Sequence, residues 1–159
     1  MWYNFATHMS YWLIKTEPSS YSIDELKRDK TTPWSGVRNF QARNFMRDEL
    51  HVGDLALFYH SNTEPIGIVG IAKVASAPYP DPTQFEPKSP YFDPRATKDR
   101  PVWYVVDFSF VKKFKREITL QELKASPFFS DMLVTQKGSR LSIQPVAEKH
   151  FKKILEFTL

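Results

Sequence analysis

Leu55-Ala56-Leu57-Phe58-Tyr59-His60 and Ile66-Gly67-Ile68-Val69-Gly70-Ile71-Ala72-Lys73-Val74-Ala75-Ser76-Ala77 flank a short polar loop, Ser61-Asn62-Thr63-Glu64-Pro65. The first run is apolar almost throughout, as a central strand covered on both faces must be. The second is long and rich in Ile, Val and Ala, so the two predict an antiparallel pair. Gly67 and Gly70 inside the second run predict a bulge or bend. Such a bend curls a sheet toward a barrel.

Working outward, Tyr11-Trp12-Leu13-Ile14-Lys15 reads as another strand, broken at Thr16-Glu17-Pro18 because proline disfavours helical backbone in the residue before it. Trp12 alternates with Leu13 and fits either the core or a surface. Ser22-Ile23-Asp24-Glu25 has the form of a capping box and predicts a helix to about Asp29, with Ile23 and Leu26 inward. A second helix is expected from about Asn39 to Glu49, with Phe45 and Met46 inward. Residues 78–101 carry seven of the twelve prolines and no clear periodicity. Their aromatics Tyr79, Phe85, Tyr91 and Phe92 argue against disorder, so they predict an ordered flap bearing Lys88, Arg95, Lys98 and Arg100. Val102 to Phe114 reads as a strand, and Trp103 at its start as core. Thr119 caps a short helix to Lys124, Phe128 to Thr135 supplies helical turns, and Leu141-Ser142-Ile143 is a short strand. Pro145 then opens a C-terminal helix at the position proline favours. Strands mixed with short helices, without βαβ alternation, indicate an α+β domain on a curled sheet or small barrel.

Composition narrows the function. At 159 residues the chain predicts a single domain over 10–159, with residues 1–9 an N-terminal extension or cloning remnant ahead of the first strand. With no cysteine, disulfides, thiolate zinc sites and cysteine nucleophiles are excluded, which suits a cytoplasmic protein. No apolar run is long enough to cross a membrane. The histidines His8, His51, His60 and His150 have no metal-ligand spacing, so no metal site and no cofactor are expected. His60 and Ser61 are neighbours on a strand end and would point to opposite faces, which speaks against a base–nucleophile pair. No catalytic residues are assigned. A net charge of +4 with 15% aromatics fits a surface that stacks bases and touches phosphates.

The candidate site lies in Pro33-Trp34-Ser35-Gly36-Val37-Arg38-Asn39-Phe40-Gln41-Ala42-Arg43-Asn44. Gly36 permits a turn or a close approach, and Trp34 beside it can present its indole as a wall. Asn39 and Gln41 can each donate and accept, as reading a base edge requires. Arg38 and Arg43 carry forks suited to phosphate, although Arg43 on a helix also suits an ion pair. A buried tryptophan anchoring a loop ahead of a solvated helix explains the same residues. Both readings stand on the residues alone.

Three segments jointly resemble the EVE domain: Tyr11-Trp12-Leu13-Ile14-Lys15-Thr16-Glu17-Pro18, Trp34-Ser35-Gly36-Val37-Arg38-Asn39 with Gln41-Ala42-Arg43-Asn44, and Phe58-Tyr59-His60-Ser61. Pro80-Asp81-Pro82-Thr83, Asp93-Pro94 and Ser139-Arg140-Leu141-Ser142-Ile143-Gln144-Pro145-Val146 agree, so the resemblance runs from Ser10 to about Leu155. It implies a PUA-like fold, a curled mixed β-barrel of about five to six strands with short helices around it. It also implies a non-enzymatic reader of modified bases in DNA or RNA, with 5-methylcytosine or a derivative as the candidate mark.

On that resemblance the base-binding pocket would comprise Trp34 as cage wall, Glu17 accepting from a cytosine amino group, and Asn39 with Ser35 or Ser61 at the base edge. Phe85 and Tyr91 of the flap would supply a second wall. Lys15, Arg38 and Arg140 would hold phosphate. Two rival functions remain: an RNA-processing or nuclease activity of the ASCH type, and a sensor of a small nucleoside-like ligand.

Overall fold

The computed structural model describes residues 9–158. Of the proposed extension only Met9 falls among them, and it packs against the core. In chain order the elements are β1 (Tyr11–Thr16), α1 (Ile23–Asp29), β2 (Thr31–Pro33), α2 (Phe40–Asn44), β3 (Leu55–His60), β4 (Gly67–Val74), β5 (Tyr79–Pro80), β6 (Tyr104–Val105), β7 (Asp107–Thr119), α3 (Leu120–Ala125), β8 (Ile143–Val146) and α4 (Glu148–Glu156). Six strands form one curled sheet in the order β2-β7-β4-β3-β1-β8, while β5 and β6 pair separately. Only β1 and β3 run parallel in the large sheet.

The sheet is covered on both faces, which is why its central strands are apolar along most of their length. Trp12 and Ile14 of β1 and Ala56 and Phe58 of β3 face one core, shared with Ile23 and Leu26 of α1, Trp34 and Met46. Tyr11, Leu13, Leu57 and Tyr59 face the other, shared with Leu123 of α3 and with Phe151 and Ile154 of α4. The expected bulge lies in β4. Ile68 and Ile71 face the second core while Val69 and Ala72 face the first, a spacing of three where strict alternation gives two. The pairing with β7 slips on either side of Gly70 and Ile71. A Cβ on Gly70 would overlap the Lys112 carbonyl oxygen, so β7 can cross here only over a glycine.

The capping box forms as expected: Ser22 Oγ accepts from Glu25 N–H at 3.2 Å, and Ser22 N–H donates to Glu25 Oε1 at 3.3 Å. Thr119 caps α3. Trp12 and Trp103 are both buried. The expected helix from Asn39 to Glu49 is α2 followed by a wider π turn, Phe45–Glu49, closed by Leu50 N–H on the Phe45 carbonyl at 2.8 Å. Met46 is buried, with Phe45 packed against the same core.

Three expectations are corrected. The strand expected over Val102 to Phe114 is split into β6 and β7, because the Val106 carbonyl between them turns to accept from Trp34 N–H at 3.0 Å. Pro145 opens no helix; it lies in β8 opposite Trp12, and α4 begins at Glu148. An edge strand tolerates a residue without an N–H donor. Pro33, placed at the head of the Trp34 loop, instead ends a short strand, Thr31–Pro33, paired with β7.

The flap is ordered by a buried glutamine. Gln84 donates to the carbonyls of Asp81 and Trp103 and accepts from the N–H groups of Val102 and Trp103. Both ends of its amide are satisfied, as burial demands.

Candidate nucleic-acid interface

Where β1 ends, α1 begins and the Trp34 loop passes beneath the flap, a cleft of about 600 Å³ opens. Seven of the ten expected site residues line it: Lys15, Glu17, Trp34, Ser35, Arg38, Asn39 and Tyr91. The other three do not. Ser61 lies at the start of the β3–β4 loop, its N–H donating to the Thr16 carbonyl at 2.9 Å. Phe85 ends a turn of 3-10 helix, half-buried and outside the cleft. Arg140 is exposed on the loop between Ser139 and Ser142, at the rim. The sequence reading missed Tyr21, whose ring stands edge-on to Trp34 at 6.3 Å and completes an aromatic wall. Its signal was an aromatic residue directly ahead of the capping serine, a position that packs back on its helix.

The loop's shape comes from a buried carboxylate. Asp81, fully buried, accepts from Gly36 N–H at 2.9 Å, from Thr83 N–H and O–H at 2.8 and 2.6 Å, and from Arg38 Nη1 at 3.1 Å. Burial pushes its carboxyl up, but the hydrogen bonds from Thr83, Gly36 and Arg38 outweigh this and hold it below its ordinary value. Arg38 also donates to the carbonyls of Tyr91 and Val37 and to Thr83 Oγ1, so all five of its N–H groups have acceptors. Its guanidinium lies between the rings of Tyr91 and Trp103, 5.4 and 5.1 Å from their centroids. The task of Arg38 is therefore to clamp the flap to the loop; no N–H is left for the expected phosphate.

Around that clamp the remaining groups differ in availability. Trp34 is 8% exposed, wedged edge-on between Phe58 and Phe108, and its indole N–H has no hydrogen-bond partner among the described residues. It thus anchors the loop to the core and lines the cleft at once. Asn39 caps α2, its Oδ1 accepting from Ala42 N–H at 2.9 Å, which leaves its amide N–H groups for another partner. Glu17 is exposed, and among the described residues its carboxylate receives only a long contact from Asn62 Nδ2 at 3.4 Å. Lys15 meets no carboxylate among the described residues. Its Nζ is 3.4 Å from the Ser139 carbonyl, and burial pushes its pKa down. Arg43 forms no ion pair among the described residues either, donating instead to the Val102 carbonyl at 2.8 Å and to Asn44 Oδ1. His60 is structural, its Nε2 accepting from Ile23 N–H at 3.1 Å. No described helix is long and apolar enough to cross a membrane.

The family model described as the EVE domain matches residues 10–157. Human thymocyte nuclear protein 1 is 42% identical across 92% of this chain and 72% of its own length. The crystal structure of a Pseudomonas syringae protein superimposes with a TM-score of 0.89 at 43% identity, covering 94% of this chain and 99% of that one. The structure of the human protein in complex with DNA containing 5-methylcytosine gives a TM-score of 0.85 at 41% identity, covering 94% and 97% of the two chains. Matched along nearly its whole described length, and with the curled sheet in common, this chain belongs to the EVE domain family.

Proposed function

We propose that the cleft captures a modified cytosine, 5-methylcytosine or a close derivative, swung out of DNA, and that the chain performs no chemistry on it. One observation carries this reading: a carboxylate with spare acceptors, an indole with an unpartnered N–H and an aromatic flap residue converge on one cleft, at Glu17, Trp34 and Tyr91. Cytosine offers an amino donor, which Glu17 would accept, and ring acceptors, which the Trp34 and Asn39 N–H groups would meet. Trp34, Tyr21 and Tyr91 would enclose the ring and its methyl group. Stacking and apolar contact of this kind offset the few kcal/mol that unstacking a base costs. Lys15, with Arg140 at the rim, would meet the flanking phosphates. The human relative bound to 5-methylcytosine DNA supports DNA over RNA as the polymer. A chain without cysteine suits a reducing compartment, the cytoplasm in this reading.

The test is binding at controlled salt to matched duplexes with and without one 5-methylcytosine. The wild-type protein should prefer the methylated duplex. Glu17→Ala, at an exposed position, should fold normally and lose about tenfold or more, the worth of a hydrogen bond to a charged acceptor. Equal affinity for both duplexes, unchanged by Glu17→Ala, would overturn the proposal.

A further inference from the structure

Beside the cleft, the exposed ring of Phe40 is a second aromatic feature that the proposed base capture does not use. Phe40 is the first residue of α2, directly after Asn39, and is 48% exposed. One face of its ring lies on Trp103, with centroids 4.8 Å apart and planes within 15°. Trp103 is buried and held on two sides: its Nε1–H donates to Asp93 at 2.8 Å and its backbone N–H to Gln84 at 2.9 Å. Phe40 is therefore a flat surface presented by a fixed support. The contacts continue inward, because Trp103 carries Arg38 on its ring, and Arg38 touches the Tyr91 ring that lines the cleft. A continuous column of rings and one guanidinium thus joins the cleft to the exposed ring of Phe40.

The charge around this ring is cationic. The guanidinium carbon of Arg43 is 4.8 Å from the Phe40 centroid, and that of Arg95 is 5.9 Å away. Arg95 is paired with Asp93, whereas the described hydrogen bonds of Arg43 go to carbonyl oxygens, with the Asp48 carboxylate acting on it from farther off. An exposed aromatic ring beside an arginine hydrogen-bonded only to carbonyl oxygens among the described residues suits a ligand with a π-face and an adjoining anion. That ligand is a nucleotide within a strand. An apolar protein segment would have no use for the cation.

We infer that Phe40 and Arg43 form a second nucleotide site, stacking an unpaired base outside the cleft and holding its phosphate. The inference rests on the proposed capture of a swung-out base, which leaves neighbouring and opposite bases without stacking partners. Stacking on a ring is indifferent to base identity, so the site would add affinity without adding selectivity.

Phe40→Leu keeps an apolar cover on Trp103 but removes the flat ring, and Arg43→Gln removes the charge while leaving the Phe40 ring in place. Both would be compared with wild type on duplexes with and without 5-methylcytosine, on free 5-methyldeoxycytidine, and by thermal melting. Phe40→Leu should weaken both duplexes by about tenfold, leaving the methylated-to-unmethylated ratio and nucleoside binding unchanged. Arg43→Gln should weaken both and reduce the salt dependence by about one counterion. Wild-type affinity for every duplex in both variants would overturn the second site while leaving the base-capture reading intact. Loss of affinity in a protein that shows no methyl preference at all would remove that reading and keep the second site.

Discussion

The Cα of Gly36 lies directly under the ring of Tyr91: a Cβ placed there would come within 2.7 Å of Cζ and 2.8 Å of Cε2. Two further ties join the same segments, the Gly36 N–H to Asp81 and the Arg38 fork to Asp81, Thr83 and the Tyr91 carbonyl. The flap is thus seated on the Trp34 loop by packing, by a buried carboxylate and by a guanidinium. Its position over the cleft is therefore fixed by contacts within the chain.

Gly36→Ala tests the packing. Gly36 has φ of +83°, where a side chain costs about 1–2 kcal/mol, and the ring contact adds to that. We expect a loss of about 2 kcal/mol in denaturant unfolding. Tyr91→Ala should remove the clash and leave the backbone strain, so the glycine substitution should cost less in that background. Equal costs in both backgrounds would show that the ring does not press on the loop.

Asp81→Asn tests the carboxylate. It leaves the Arg38 charge without a partner in a mostly buried setting, and a loss of about 3 kcal/mol is expected. The acid limb carries the same information. Because the folded state holds the Asp81 carboxyl below its ordinary value, its stabilisation is complete above the unfolded pKa of about 4 and fades as pH falls through the folded one. The asparagine variant should lack that component, so its deficit relative to wild type should shrink in acid. A deficit that is the same at pH 7 and at pH 3 would contradict the assignment.

What was legible in the sequence was set by local rules. The capping serine, the glycine bulge and the two-faced apolar strands follow from residues a few positions apart, and all three appear. Pro145 misled because its tolerance depends on lying in an edge strand, which sheet order alone decides. Much of the cleft was legible because Lys15 and Glu17, and Trp34 to Asn39, are two short contiguous segments. Ser61 was misplaced because β1 and β3 end together, Thr16 opposite His60, and the next residue already turns away. The roles of Asp81 and Arg38 were not legible. They depend on a contact between segments 43 residues apart, and an Asp-Pro pair, one of two in a proline-rich stretch, carries no sign of it.

His60 offers a second pH signature with the opposite chemistry. As acceptor of the Ile23 N–H it must be neutral, and burial, with Lys113 nearby, holds its pKa below the ordinary value despite Asp24. The unfolded chain therefore takes up this proton before the folded one, and stability falls as pH drops below about 6.5. His60→Gln should be less stable than wild type at pH 7.5, by about 1 kcal/mol. The gap should narrow at pH 5.5, because only the wild type has a proton to take up there. Melting curves at the two pH values suffice, and a gap that widens in acid would contradict this role.

Lys15 separates stability from binding. Its ammonium is partly desolvated, has no carboxylate partner, and has its pKa pushed down by burial, so the folded protein holds this charge at a cost. A neighbouring phosphate would offset that cost, which is why a cation is tolerated beside the cleft. Lys15→Met keeps the apolar stem and removes the charge. It should melt at the same temperature as wild type or higher, since charged groups held at functional sites commonly reduce stability. The same variant should bind DNA more weakly, with a plot of log K against log salt shallower by about 0.9. A variant that melts lower and retains the wild-type salt slope would make Lys15 a structural residue and remove it from the interface.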